Sequence, residues 1–467
     1  MAQRAGPAGR PRPAGARRAV HGLAEAAVRR RRQPEDGRLR LPPAVSVPTH
    51  RGPADRALTG RVLADRLGNG LRLTVEPEPG RGLVAVALTV AAGGAHDPAG
   101  RHGMAHLVEH LMFPRGTAAD PDGHVGRVEG AGGTCNAETH RDHTVFHTVA
   151  PADALPGILE WEARRLLDFA PDDAVVRTET EVIGAEIRGA VGGGRLWDTA
   201  YASLHPGSRD SYGSVAELRR ATAAEALAFQ RAHYTAGATA LTVVGDADPA
   251  WVAERVAELF GEVAAAPARP VVRPAAAPGP AGSIPYGASG TALALPLPDA
   301  AGERHAYLAH VVLAELLTRA RLPRAVRTDA RLASANVICG YYGQWLASAA
   351  PDIALVLLGL PDGVRTDESV AAWEDVLREA AAAPPSDTEH RRTLNALLVN
   401  CHRQADSLAA RAVAHGRAAL LFPGRLPGDN GPGTLAGQLA RVTPADVSAA
   451  ARRLLAAPYG VTELVNP

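Results

Sequence analysis

Residues 104–113 read Met-Ala-His-Leu-Val-Glu-His-Leu-Met-Phe, and the rest of the chain is best organised outward from them. Apolar residues recur there at the spacing of one helical face, so the stretch reads as an α-helix. On a helix, positions i, i+3 and i+4 share one side about one turn apart, which brings His106, Glu109 and His110 toward a common point. Two imidazoles so placed suit a divalent cation. Neutral imidazole nitrogens ligate zinc at about 2.0–2.1 Å, and the carboxylate beside them stays free to work as a base. A catalytic cation of this kind also needs a third protein ligand and one open position. Further along the chain, Glu179-Thr-Glu-Val-Ile-Gly-Ala-Glu186 carries two carboxylates on one helical face, two turns apart. One of them can ligate while the other orients a ligand.

Composition narrows the alternatives. The 467 residues are 46% hydrophobic and 21% charged, an ordinary globular balance for two or three domains. All 50 basic residues are Arg. The net charge of +1 hides an uneven distribution: residues 1–40 hold 11 Arg against Glu25, Glu35 and Asp36, so the remainder carries 39 Arg against 46 acids, a balance of −7. A mildly acidic body gives no nucleic-acid footprint. Residues 1–55 read as a disordered Arg/Pro-rich tail, and the run Arg29 to Arg32 as its solvated charge. No apolar run reaches the roughly 18 residues of a membrane helix, and Arg17-Arg18 heads a poor export signal. Cys135, Cys339 and Cys401 are too few and too scattered for a disulfide framework, which points to a reducing, cytoplasmic setting.

Leu67-Gly-Asn-Gly-Leu71 reads as a tight turn, followed by a strand at 83–90, the helix at 104–113, a strand around 144–149 and helices over 151–169 and 172–190. The segment 263–284 is dense in Ala and Pro and reads as a linker between residues 56–262 and 285–467. A faint repeat relates these halves. Thr222 to Val244, with the capping pair Thr222 and Glu225, is echoed by Thr443 to Val465 with Thr443 and Asp446. The strand 291–298 and helix 308–317 then fall over 83–90 and 104–113, which places His310 over His106 but Leu313 and Ala314 over Glu109 and His110. The second half is thus expected to carry a degenerate copy of the site. His140, His143 and His147 could suggest a second metal site, but strand geometry sets His143 and His147 about 13 Å apart, so solvated or second-shell histidines are expected. Gly192-Gly-Gly-Arg195 lacks the Lys-Ser/Thr of a phosphate loop and reads as a flexible connection.

Three motifs together resemble one family. His106-Leu-Val-Glu-His110 has the inverted zincin order. Gly132-Gly-Thr-Cys-Asn-Ala-Glu-Thr139 is followed by Asp142-His-Thr144, and the Glu179/Glu186 pair stands at the family's spacing. With His233-Tyr234 and Val243-Val-Gly-Asp246, the chain is similar to the insulinase, pitrilysin and mitochondrial processing peptidase family of metallopeptidases, strongly over about 60–265 and weakly over 285–467. The resemblance implies an α+β fold of two homologous halves, each a mixed, mostly antiparallel sheet packed with helices, closing like a clamshell. It implies one zinc ion per chain held by His106, His110 and Glu186, with Glu109 as general base and Glu179 as support behind the ligands. It also implies an edge strand that hydrogen-bonds an extended peptide at Asn136 and Ala137.

The second half departs from the family's pattern. Where members carry Arg-x-x-x-Gly-Leu-Ala-Tyr, this chain has Arg327-Thr-Asp-Ala-Arg331-Leu-Ala-Ser334. Ser334 replaces the Tyr that would reach the developing oxyanion, which leaves Arg327, Tyr341 or Tyr342 to compensate. The expected function is zinc metalloendopeptidase on a peptide or small-protein substrate, alone or paired with a homologous subunit. The alternatives are a noncatalytic or partner-dependent subunit of the same fold that scaffolds a processing complex, or a zinc-dependent protein that holds peptides without cutting them.

Overall fold

A computed structural model describes residues 62–113, 123–189, 194–270, 274–279, 282–349, 351–422 and 432–466. The Arg-rich tail, the start of the first half, Gly192-Gly193 and parts of the Ala/Pro segment lie outside them.

The first half is built on strands β1 (Leu63–Arg66), β2 (Arg72–Pro77), β3 (Leu83–Val90), β4 (Thr134–Thr139), β5 (Thr144–Pro151) and β6 (Thr239–Gly245). They form one sheet in the order β1-β2-β6-β3-β5-β4, antiparallel except for the β2–β6 pair. Helices α1 (Met104–Leu111), α2 (Gly123–Gly130), α3 (Leu155–Leu167), α4 (Asp173–Gly189), α5 (Gly194–Leu204), α6 (Val215–Leu218), α7 (Ala223–His233) and α8 (Pro249–Phe260) accompany it. The second half carries β7 (Gly282–Pro285), β8 (Gly290–Pro296), β9 (Ser334–Cys339), β10 (Ile353–Gly359) and β11 (Gly460–Val465). Their order is β7-β11-β8-β10-β9, again with one parallel pair, β7 with β11. Apart from β1 the two sheets have the same topology, so the duplication read from two capped helices extends to the whole half. The caps themselves are present: Thr222 accepts from the Glu225 amide ahead of α7, and Thr443 from the Asp446 amide ahead of α15 (Pro444–Ala456).

Each sheet buries one face under helices of its own half. In the first half, Leu71, Val86 and Leu88 pack with Leu107 and Val108 of α1 and Ile183 of α4. In the second, Leu293, Leu295 and Val356 pack with α9 (Arg304–Leu316) and Trp373 of α11 (Thr366–Ala382), near α10 (Leu322–Thr328) and α12 (Asp387–Ala405). The opposite faces are covered by an exchange. Trp197, Ala200 and Tyr201 of α5 lie on Ala292, Ala294 and Leu355 of the second sheet. Leu408 and Ala412 of α13 (Leu408–Leu421) lie on Ala85, Ala87 and Val244 of the first. α14 (Pro432–Leu439) completes the second half. The Ala/Pro segment ends in β7, which pairs with the last strand of the chain. Among the described residues no helix is long and apolar enough to cross a membrane.

Candidate metal centre

β3 runs directly into the loop that launches α1, and Asp97 in that loop fixes where the helix starts. Its carboxylate accepts from the Gly103 amide at 2.6 Å and the Ala105 amide at 2.8 Å, two of the otherwise unpaired donors of the first turn. Gly103 has φ +102, and a Cβ there would lie 2.9 Å from the Gly213 Cα, so the helix start sits hard against the segment 210–213. Leu107 and Val108 are fully buried, which turns His106, Glu109 and His110 toward α4 and the end of β4.

The two histidines are oriented by different partners. His106 Nδ1 lies 3.0 Å from the Tyr212 carbonyl oxygen, an atom that can only accept, so Nδ1 carries the proton and Nε2 presents a lone pair. His110 Nδ1 donates to Glu179 Oε2 at 3.2 Å, which leaves Nε2 as the atom where a cation would take the place of a proton. The two Nε2 atoms face Glu186: its Oε2 is 3.6 Å from His106 Nε2 and 3.5 Å from His110 Nε2. One ligand atom from each residue lies within 4.8 Å of the other two, and no other group of three His, Cys, Asp or Glu among the described residues comes together in this way. Ligands at zinc distances on a tetrahedron stand about 3.4 Å apart. The two imidazole-to-carboxylate spacings, 3.6 and 3.5 Å, are close to that value, so the donor set is of the right chemistry and scale for a small divalent cation. The Glu186 side chain is 46% exposed, so the point where the three atoms meet opens to solvent, whereas Glu179 is buried.

The electrostatics match this geometry. Burial by itself lowers the His110 pKa, but the bonds to Glu179 and Glu186, with the charge of Glu109, outweigh it and raise the value to about 10. Burial raises the Glu186 carboxyl, and His110 and His106 together hold it below the usual range. Negative charge thus accumulates where a cation would sit. Glu109 is held from a different direction: Thr139 at the end of β4 donates its hydroxyl to Glu109 Oε2 at 2.7 Å.

β4 is an edge strand. Among the described residues it pairs with β5 alone, Asn136 opposite His147 and Ala137 opposite Phe146, with Asn136 exposed. Its other edge is free to accept a further strand. Arg327 is not brought into this group. It stands exposed on α10 and bonds to none of these residues, and Ser334 begins β9 beside Gly359. Tyr342 comes closer, and its hydroxyl donates to Asp198 Oδ2 at 3.0 Å. His310 is buried on α9, with Nδ1 on the Ala306 carbonyl of its own helix and its pKa pushed down by burial to about 4.

His140 and His143 are not solvated. They stack at 4.2 Å in the turn before β5, completely buried, and Arg417 of α13 reaches both. The largely covered Arg417 also bonds Glu138 of β4 and Gln344, which ties the edge strand to the second half. Sequence reading missed this contact, as it missed the Tyr212 carbonyl and Thr139. Of the three, only Thr139 left a signal, its place at the end of the Gly-Gly-x-x-Asn-Ala motif.

Two family models match the chain. The model described as insulinase, peptidase family M16, matches residues 73–189, and that of the M16 inactive domain matches residues 220–397. The chain belongs to the insulinase family of peptidases. The coenzyme PQQ synthesis protein F of Pseudomonas putida is 41% identical over 124 residues, covering 26% of this chain and 16% of that protein. An uncharacterized zinc protease of Mycobacterium bovis is 28% identical over 229 residues, covering 47% of this chain and 52% of that one. The match thus spans about half, or less, of these curated relatives. A protease from Helicobacter pylori has the same fold, with a TM-score of 0.72 over 88% of this chain and 100% of that one at 17% identity. Two halves of mixed sheet and helices are therefore the family architecture, and zinc proteases occur among its members.

Proposed function

We propose that the chain is a zinc-dependent metalloendopeptidase, one ion per chain, that hydrolyses extended peptides with Glu109 as general base. The observation that carries this reading is the convergence of His106 Nε2, His110 Nε2 and Glu186 Oε2, with both Nδ1 atoms already bonded elsewhere. When bound, the ion supplies Lewis acidity to a peptide carbonyl and acidifies water. Thr139 holds Glu109 Oε2, so the other oxygen, Oε1, would take the water proton and pass it to the leaving amine nitrogen. Glu179 keeps the His110 Nδ1 proton in place throughout. An extended substrate would add to the sheet along β4, its backbone paired beside Asn136 and Ala137. A reducing, cytoplasmic setting remains part of the proposal, supported by three free cysteines of which two are buried.

A second reading is favoured by one observation. With Arg327 exposed on α10 and Ser334 in place of the family Tyr, neither of these two family positions brings a donor to the site, as expected of a subunit completed by a homologous partner. Both readings are tested on the purified chain and its Glu109→Gln variant by zinc content and cleavage of a quenched peptide. Equal zinc in the two, with hydrolysis lost in the variant, supports the peptidase. Zinc without hydrolysis, even beside candidate partner chains, favours a peptide-binding subunit.

A further inference from the structure

The second half reaches the metal centre from behind, through the turn that carries Tyr341 and Tyr342. β9 ends at Cys339 and the turn Gly340-Tyr-Tyr-Gly343 follows. Tyr342 has φ +48, a left-handed conformation uncommon for a residue with a bulky side chain. Its hydroxyl lies 3.0 Å from Asp198 Oδ2 and stands close enough to the Tyr212 hydroxyl to oppose the rise in pKa that burial imposes on it. The Tyr341 hydroxyl, buried, is 2.8 Å from Ser211 Oγ. The two tyrosine rings pack edge to face at 4.7 Å, and Trp197 of α5 lies 5.5 Å from the second.

Ser211 and Tyr212 are adjacent residues of the first half, and the Tyr212 carbonyl is the atom that holds His106 Nδ1. The segment has little slack on its other side, because a Cβ at Gly213 would stand 2.6 Å from the Gly103 Cα. The Tyr212 ring also meets the His106 imidazole edge to face, with centroids 6.4 Å apart. One hydroxyl from the second half therefore bonds Ser211 and another stands beside that of Tyr212, the two residues whose placement aims His106.

We propose that Tyr341 and Tyr342 are positioning residues for the metal ligand His106. They fix Ser211 and Tyr212 so that His106 Nε2 points at Glu186, which makes the cation affinity of the first half depend on the second half being docked. This rests on the zinc reading of the site. It gives the second half a part in the site that requires no contact with substrate.

The test is a chelator-competition titration of zinc on the full chain, with the visible spectrum of the cobalt-loaded protein as a second readout. Groups that orient metal ligands typically change affinity by about 10- to 100-fold. The double variant Tyr341→Phe/Tyr342→Phe is expected to bind zinc about tenfold more weakly and to shift the cobalt bands. Ser348→Ala serves as the control: it removes a hydroxyl of the same loop, 2.9 Å from Asp142 Oδ2, without touching Ser211 or Tyr212, and is expected to keep the unmodified affinity. If the double variant does not fold, the two single variants carry the same test. Unchanged zinc affinity in a folded variant overturns the inference, and so does an equal loss in Ser348→Ala, which would mean general loosening of the interface. If the unmodified chain takes up no zinc, the metal reading itself fails, and this inference with it.

Discussion

Thr139 Oγ1 stands 2.7 Å from Glu109 Oε2, joining the last residue of the free edge strand to the middle of the helix that carries both histidines. Strand and carboxylate are therefore one mechanical unit, and under the proposed function a peptide paired along β4 would be registered against the carboxylate that would handle its proton.

Replacing Thr139 with Val keeps the shape and removes the donor. A hydrogen bond to a charged group contributes about 1.5–3 kcal/mol, so kcat is expected to fall tenfold or more. KM should change little and zinc content not at all. Wild-type kcat in Thr139→Val would show that Glu109 does not need this support.

In the proposed centre Glu179 would act on the cation through His110. Glu179→Gln leaves an acceptor for the Nδ1 proton and is expected to weaken zinc binding mildly. Glu179→Ala leaves none and should weaken it about tenfold or more. Chelator titration of the two variants checks the order, and equal affinities would remove Glu179 from the site.

The exchanged helices depend on close approach. On β11, a Cβ at Gly460 would lie 2.5 Å from the Leu204 amide nitrogen, at the end of α5. That contact is backbone and cannot swing away. Overpacking of this kind costs about 1–3 kcal/mol, so Gly460→Ala should lower Tm by several degrees. An unchanged Tm would mean that α5 is not seated as described.

Asp198 links stability to pH. Burial raises its carboxyl to about 7, with Arg141, Arg195 and the Tyr342 hydroxyl opposing the rise and Asp210 adding to it, against 3.8 for an unperturbed Asp. Between these values the folded chain holds a proton that the unfolded chain has lost. The contribution is thus full below about pH 4 and disappears as pH rises through 7. Asp97 and Asp352, each raised by burial to about 6, slope the same way. Asp198→Asn should make the fall in Tm from pH 4 to 7 shallower, and a slope equal to that of the unmodified chain would contradict the assignment.

How much of this was legible in the sequence depends on how local each feature is. The spacing of His106, Glu109 and His110, and that of Glu179 and Glu186, is fixed by helical geometry, and the strand at 83–90 and both capping boxes are equally local; that Glu186 joins the two histidines was implied only by the family resemblance. The α5/α13 exchange was not legible, because an apolar stripe says that a helix is covered but not by which half. Nor were the partners of the site residues. Tyr212 contributes a carbonyl, which every residue possesses, and Arg417 is one arginine among 50 basic residues. His140 and His143 looked like solvated or second-shell groups because nothing in their own segment announces an arginine arriving from α13. The end of the Ala/Pro segment hid β7, a strand of four residues whose pairing depends on the opposite end of the chain.

Crystals of the zinc-soaked chain, measured at the zinc absorption edge, test the central claim most directly. A single anomalous peak is predicted within bonding distance of His106 Nε2, His110 Nε2 and a Glu186 carboxylate oxygen, and beyond bonding reach of Glu109. A peak elsewhere, or none between the two imidazoles while zinc is present in solution, would contradict it.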